Sequence, residues 1–129
     1  MSEPTESPAA RRRILVADDN VDAASSLAVL LEIMGNETRV AHDGIEAVEL
    51  AATFRPDVIL LDIGMPRLNG FEACSRIRMQ PANHGAVIVA LTGWTQEETK
   101  QRSQQAGFDF YLIKPVEPDT LEKMLKTPR

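Results

Sequence analysis

Several things are scarce in this sequence, and each shortage removes a class of protein. One cysteine, Cys74, stands among 129 residues, so no internal disulfide forms and a disulfide-stapled secreted scaffold is excluded. No apolar run approaches the length of a membrane span, and the N-terminus lacks the apolar segment of a signal peptide. No membrane span is therefore expected, and the cytoplasm is the default compartment. Basic residues are outnumbered, 14 Lys and Arg against 19 Asp and Glu, for a net charge of −5. A general nucleic-acid surface is not favoured on that balance, and no direct nucleic-acid contact is expected. No Cys/His pairing has zinc spacing, and neither a GxGxxG fingerprint nor a P-loop occurs. What remains is 43% hydrophobic and 26% charged, the balance of one soluble globular domain long enough for a real core.

Residues 1–12, MSEPTESPAARR, have no period and nothing to bury, which predicts a flexible tail before a domain over 13–126. The arginines at 11–13 read as a solvated flank. Short apolar runs then alternate with amphipathic stretches. Ile14-Leu15-Val16-Ala17 is a buried strand, and Val21–Met34 carries Leu27, Leu30, Leu31 and Met34 at helical spacing, stopped by Gly35 as a left-handed cap. A weak strand near Thr38–Ala41 leads to Asp43 and Glu46, which have capping-box spacing for a helix to about Phe54. Pro56 ends that helix, and Val58-Ile59-Leu60-Leu61 is the strongest strand signal. A helix at about Gly70–Met79, a strand over Ala86–Leu91, a polar helix at about Gln96–Gln105, a strand over Phe110–Ile113 and a helix over Pro118–Leu125 complete the pattern. Apolar strands joined by helical crossovers predict an α/β fold: five parallel strands with helices on both faces.

In such open sheets ligands bind beyond the carboxyl ends of the strands. There stand Asp18 and Asp19 after the first strand, Asp62 after the third, Thr92 after the fourth and Lys114 after the fifth. Right-handed crossovers bring these loops to one edge. Carboxylates ~4 Å apart repel by roughly 4 kcal/mol per pair at an effective dielectric of about 20, so the cluster needs positive charge. Lys114 supplies one such charge, and a divalent cation is the natural second. Hard oxygens, too few to form a cage, favour Mg²⁺ over Ca²⁺ or Zn²⁺. A metal and a lysine flanking a carboxylate suit phosphoryl chemistry. Taken singly, each residue has a plainer reading: Asp18 or Asp19 as helix cap, Asp62 as turn former, Thr92 as cap, Lys114 as surface lysine. Their joint occurrence at four strand ends makes the plainer readings poor.

These residues resemble the receiver domains of two-component response regulators. The likeness covers about residues 13–126 and rests on ILVADDN at 14–20, LLDIGMPRLNG at 60–70, ALTGW at 90–94 and AGFDFYLIKPV at 106–116. It implies the (βα)5 flavodoxin-like, doubly wound fold. It also implies that Asp62 is the phosphoacceptor, attacking a phosphohistidine carried by a sensor histidine kinase or a histidine phosphotransfer protein. Asp19 and Asp62 would bind Mg²⁺ (or Mn²⁺) directly, Asp18 through a water, and the Gly64 carbonyl would complete the protein ligands. Lys114, the Thr92 hydroxyl and the Gly93 N–H would contact phosphoryl oxygens. The Lys114-Pro115 bond would be cis, and Tyr111 would be the aromatic switch coupled to Thr92. Readout would pass through the helix at 96–105, the fifth strand and the last helix, to an unspecified downstream protein. No second domain is expected after Arg129, which would leave output to another protein or to onward phosphotransfer. The chain would be a regulator, not an enzyme, assisting its own phosphorylation and dephosphorylation.

Some positions depart from the commonest pattern. Gly64 replaces a frequent polar residue, and Trp94 lies two after Thr92; with Met65 they flank the site. Trp94 is either an exposed aromatic or a partial shield against water. Gly64 and Trp94 also give a looser likeness to receivers of hybrid sensor kinases. An aspartate-nucleophile phosphatase would want a second Asp where Gly64 stands. A flavodoxin-like nucleotide binder would present amides instead of Asp18 and Asp19. His42 and His84 fall in loops, which disfavours a histidine phosphodonor. A receiver-like interaction module acting without phosphorylation would not need Asp62, Thr92 and Lys114 together. Cys74 is expected to be a buried apolar residue with no catalytic role.

Overall fold

The computed structural model describes residues 12–65, 67–93 and 106–126. Its strands are β1 (Arg13–Ala17), β2 (Glu37–Ala41), β3 (Val58–Asp62), β4 (Val87–Thr92) and β5 (Phe110–Ile113). They form one sheet in the order β2-β1-β3-β4-β5, every neighbouring pair parallel. The helices among the described residues are α1 (Val21–Ile33), α2 (Gly44–Phe54), α3 (Gly70–Arg78) and α4 (Pro118–Lys126). The helix expected over 96–105, and Trp94 before it, lie outside the described residues, as do 1–11. Arg12 already belongs to the fold: its N–H reaches Asn36 Oδ1 and its carbonyl accepts the Glu37 N–H.

Successive strand residues point to opposite faces. Ile14, Val16, Leu60, Val89 and Leu91 pack on one side against α1 and α4, through Ala24, Leu31 and Leu121. Leu15, Ile59, Leu61, Ile88 and Ala90 pack on the other against α2 and α3, through Ala47, Ala51 and Ile77. Both faces are covered, which is why the strands read as continuous apolar runs. Cys74 sits in the second core, where burial pushes its thiol up to about 12.

The caps dispose of one plainer reading and correct one expectation. Neither Asp18 nor Asp19 caps α1; Asn20 does, its side chain accepting the Ala23 N–H at 3.0 Å. At α2, Asp43 caps the Glu46 N–H, but Glu46 reaches back to His42 N–H, one residue earlier than a capping box requires. The complete capping box belongs to α3, between Asn69 and Glu72. Gly35 (φ 99°) ends α1 as expected: its N–H bonds Glu32 O and that of Asn36 bonds Leu31 O, satisfying two terminal carbonyls. A short 3-10 turn, Pro81–Asn83, occupies the polar loop before β4.

Candidate functional site

Parallel pairing sets the site at the carboxyl edge. Ala17 sits beside Leu61 and Ala41, so Asp18 and Asp19 leave β1 next to Asp62, the last residue of β3. Carboxylate oxygens of Asp18, Asp19 and Asp62 lie within 4.8 Å of one another. Asp18 and Asp62 are buried, and Asp19 is exposed. Lys114, immediately after β5, spans the two buried acids: its Nζ lies 3.2 Å from Asp18 Oδ2 and 3.1 Å from Asp62 Oδ2. The Lys114 N–H donates to the Thr92 carbonyl at 2.8 Å, and the Lys114-Pro115 bond is cis.

The remaining acceptor oxygens are also assigned. Asp18 Oδ1 takes the Asn20 N–H at 3.0 Å, so Asp18 orients the residue that caps α1. Asp62 Oδ1 takes the Gly64 N–H at 3.1 Å, the turn-forming role that its plainer reading gave it. Three carboxylates still face one ammonium. Burial raises the Asp62 pKa, and the nearby Asp18 charge adds to this; the Gly64 N–H and Lys114 oppose without cancelling it. Burial acts to lower Lys114, but its bonds to Asp62 and Asp18 outweigh that and hold its pKa above the ordinary lysine value. Convergent hard oxygens with excess negative charge are the donor set that a small divalent cation requires, so the residues present fit Mg²⁺.

The other expected residues fall as follows. Thr92 is buried at the end of β4, and Gly93 follows with open space where a side chain would go. Gly64 has room for a Cβ, 3.9 Å from Asp62 Oδ1. Met65 is buried in the core shared with α2 and α3, so its side chain serves packing beneath the loop. Tyr111 is partly exposed on edge strand β5. A groove of about 490 Å³ opens beside Asp18 and Lys114, walled by Leu27 and Leu30 of α1 and by Pro115 and Val116.

Several contributors were missed in the sequence. A methyl at Gly70 would fall 2.6 Å from the Asp62 carbonyl oxygen and 2.7 Å from Ile63 Cα, and the Gly70 N–H bonds Ile63 O at 2.9 Å. Only glycine lets α3 begin that close to the Asp62 backbone. A methyl at Gly44 would lie 1.8 Å from the Leu68 carbonyl oxygen, so α2 begins against the same loop. Arg78 ties the far end of α3 to the Gly107 and Ala86 carbonyls and to Asp109, which also accepts the Ile88 N–H. The NG pair at 69–70 and the Asn69–Glu72 spacing were the available signals; Arg78 gave none.

Comparison with known proteins agrees with this geometry. Residues 14–126 match the family described as "Response regulator receiver domain". The chain belongs to the response regulator receiver domains. Chemotaxis protein CheY4 of Vibrio cholerae is 36% identical, with a TM-score of 0.86 over 91% of this chain and 98% of that one. The receiver domain of sensor histidine kinase PA1611 from Pseudomonas aeruginosa, described with a magnesium ion coordinated in its active site cleft, is 32% identical; the TM-score is 0.83 over 91% of this chain and 96% of that one. DNA-binding response regulator MtrA of Mycobacterium tuberculosis is 37% identical over 111 residues, 86% of this receiver and 47% of MtrA. The receiver thus spans about half the length of the MtrA relatives, whose name as DNA-binding regulators runs against the expectation of no nucleic-acid contact. An uncharacterised protein of Leptolyngbya boryana is 35% identical over 91% of this chain and 89% of its own length. Among the described residues no helix is long and apolar enough to cross a membrane.

Proposed function

We propose that this receiver accepts a phosphoryl group on Asp62 from the phosphohistidine of a sensor histidine kinase or histidine phosphotransfer protein. The observation that carries the reading is Lys114, whose ammonium lies 3.1–3.2 Å from both buried carboxylates. An Asp62 carboxylate oxygen attacks phosphorus, the phosphorus–nitrogen bond breaks, and the imidazole leaves with a proton from solvent, giving an acyl phosphate. Lys114, the Thr92 hydroxyl and the Gly93 N–H stabilise charge on the transferring oxygens. Asp18, Asp19, Asp62 and the Gly64 carbonyl would hold Mg²⁺ (or Mn²⁺), which when bound offsets phosphoryl charge. The same groups would assist hydrolysis of the acyl phosphate.

Phosphorylation adds about −1.5 to −2 charges beside Asp18 and Asp19, and Thr92 and Lys114 turn to the new oxygens. That change is read at the surface around Tyr111, by a downstream protein. The groove beside Asp18 and Lys114, with its apolar walls of Leu27, Leu30, Pro115 and Val116, suits the protein that delivers the phosphoryl group. The reading places the receiver in the cytoplasm. An aspartate-nucleophile phosphatase is disfavoured by Gly64, and a phosphorylation-independent module by the intact Asp62–Lys114 pair.

The test is intact-mass measurement after incubation with acetyl phosphate and Mg²⁺. One phosphoryl adduct is expected on the wild type and none on Asp62→Asn. Equal labelling of the two removes Asp62 as acceptor.

A further inference from the structure

The chain after Asp62 is fastened in an unusual way. Arg67 has φ 66°, a left-handed conformation that residues with a side chain seldom adopt. Something must hold it there. Its guanidinium Nη1 lies 3.0 Å from Asp43 Oδ2. Asp43 is only 18% exposed, and its other oxygen caps α2 through the Glu46 N–H at 2.8 Å. The neighbouring Leu68 is buried, in direct backbone contact with Gly44 at the first turn of α2. At the base, the Gly70 N–H closes onto Ile63 O, and the Gly64 N–H onto Asp62 Oδ1. Residues 63–65 and 67–70 are thus fixed at both ends, and the outer fastening is made by one residue that does two jobs.

We infer that Asp43 and Arg67 are positioning residues for the metal site: their ion pair holds the Gly64 backbone against Asp62 and so sets cation affinity. The inference rests on the reading of Asp18, Asp19, Asp62 and the Gly64 carbonyl as a Mg²⁺ site. It does not depend on phosphoryl transfer. Neither Asp43 nor Arg67 is among the residues that would hold the cation. Their effect passes through Leu68 and the loop, to a site on a different strand end.

A pure field effect makes a different forecast. Removing a positive charge near an anionic pocket would tighten Mg²⁺, and removing a negative charge would loosen it. Positioning requires both variants to loosen it. Asp43→Asn keeps the helix cap, since Asn caps as well as Asp. Arg67→Gln removes the charge, Arg67→Gly removes the charge and relieves the left-handed strain, and Arg67→Lys restores the charge.

The experiment is calorimetric titration of each full-length protein with MgCl2, without a phosphodonor, alongside thermal melts in chelator. Asp43→Asn, Arg67→Gln and Arg67→Gly are each expected to weaken Mg²⁺ by about two- to fivefold, the scale of an exposed ion pair. The Asp43→Asn, Arg67→Gln double variant should match the single variants, and Arg67→Lys should recover most of the affinity. Melting temperatures of Asp43→Asn and Arg67→Gly should stay close to wild type. Opposite signs for the Asp43 and Arg67 variants, additive losses in the double variant, or melting that falls in step with affinity each overturn the inference. So does a wild type that binds no Mg²⁺. A wild type that binds Mg²⁺ but accepts no phosphoryl group sinks the functional reading and leaves this one standing.

Discussion

Neutralising Asp62 should make the metal-free receiver more stable, though it removes the acceptor. In Asp62→Asn, repulsion from Asp18 at up to 4.8 Å is relieved, worth about 3.5 kcal/mol at an effective dielectric of 20. The attraction of Lys114 at 3.1 Å, about 5 kcal/mol on the same scale, is lost. That attraction is discounted because the Lys114 side chain is one-third exposed. Burial decides the sign, since desolvating a carboxylate costs several kcal/mol and Asp62 is 8% exposed. Lys114 keeps Asp18 at 3.2 Å, so no charge is orphaned. A net gain of about 1–2 kcal/mol is expected, read as melting about 4–8 °C higher in chelator. The pH dependence has a definite sign. A carboxyl group whose native pKa is raised adds stability below its unfolded value, near 3.8, and that contribution is lost as pH rises through the native value. The variant's advantage should therefore be full above the native pKa and fade between it and 3.8. Mg²⁺ at a hundred times its dissociation constant adds about 2.7 kcal/mol to the wild type, enough to reverse the order. Equal or lower melting of Asp62→Asn in chelator would refute the account, because Lys114 would then more than balance burial and repulsion.

Two further outcomes test other parts of the site. Lys114→Met leaves Asp18 and Asp62 facing each other, and should cost about 2–3 kcal/mol in urea unfolding at neutral pH. Lys114, with its pKa raised above 10.5, contributes stability below 10.5 that is lost as pH rises through the native value, so the wild type and not the variant should show that alkaline loss. Gly70→Ala places a methyl 2.6 Å from backbone oxygen and should cost more than about 2 kcal/mol, whereas Gly64→Ala, with 3.9 Å to spare, should fold normally. Similar stabilities for the two alanine variants would contradict the close approach at Gly70.

The parts of the receiver legible in the sequence are those that topology dictates. Apolar runs such as Val58–Leu61 are strands because both faces are covered, and parallel strands deliver their ends to one edge whatever the loops contain. Asp18, Asp62 and Lys114 could therefore be placed together before any distance was known. The caps were less legible because local signals compete. Asp18 has capping chemistry, but Lys114, a residue distant in sequence, claims one of its oxygens, and the other turns to the Asn20 N–H. Asn20 then caps α1. Glu46 has capping-box spacing, yet the His42 N–H takes its carboxylate at 2.7 Å.

Arg78 and Arg67 were illegible for a related reason. Arg78 bonds groups 5 to 31 residues away in sequence, and Arg67 bonds one 24 away, so neither contact leaves a periodic or spacing signal. The two arginines differ in what that costs. Arg78, 18% exposed and shared among four carbonyls and Asp109, joins elements at the end of the sheet away from the acid cluster, where packing would keep them near each other anyway. Arg67, 61% exposed, holds the left-handed bend of a segment otherwise fastened by buried Leu68 and the Gly70 N–H, a few residues from the Asp62 carboxylate. A weak contact matters where it holds a conformation that the packing around it does not impose, here the positive φ of Arg67, so the more exposed arginine is the one expected to tune the site.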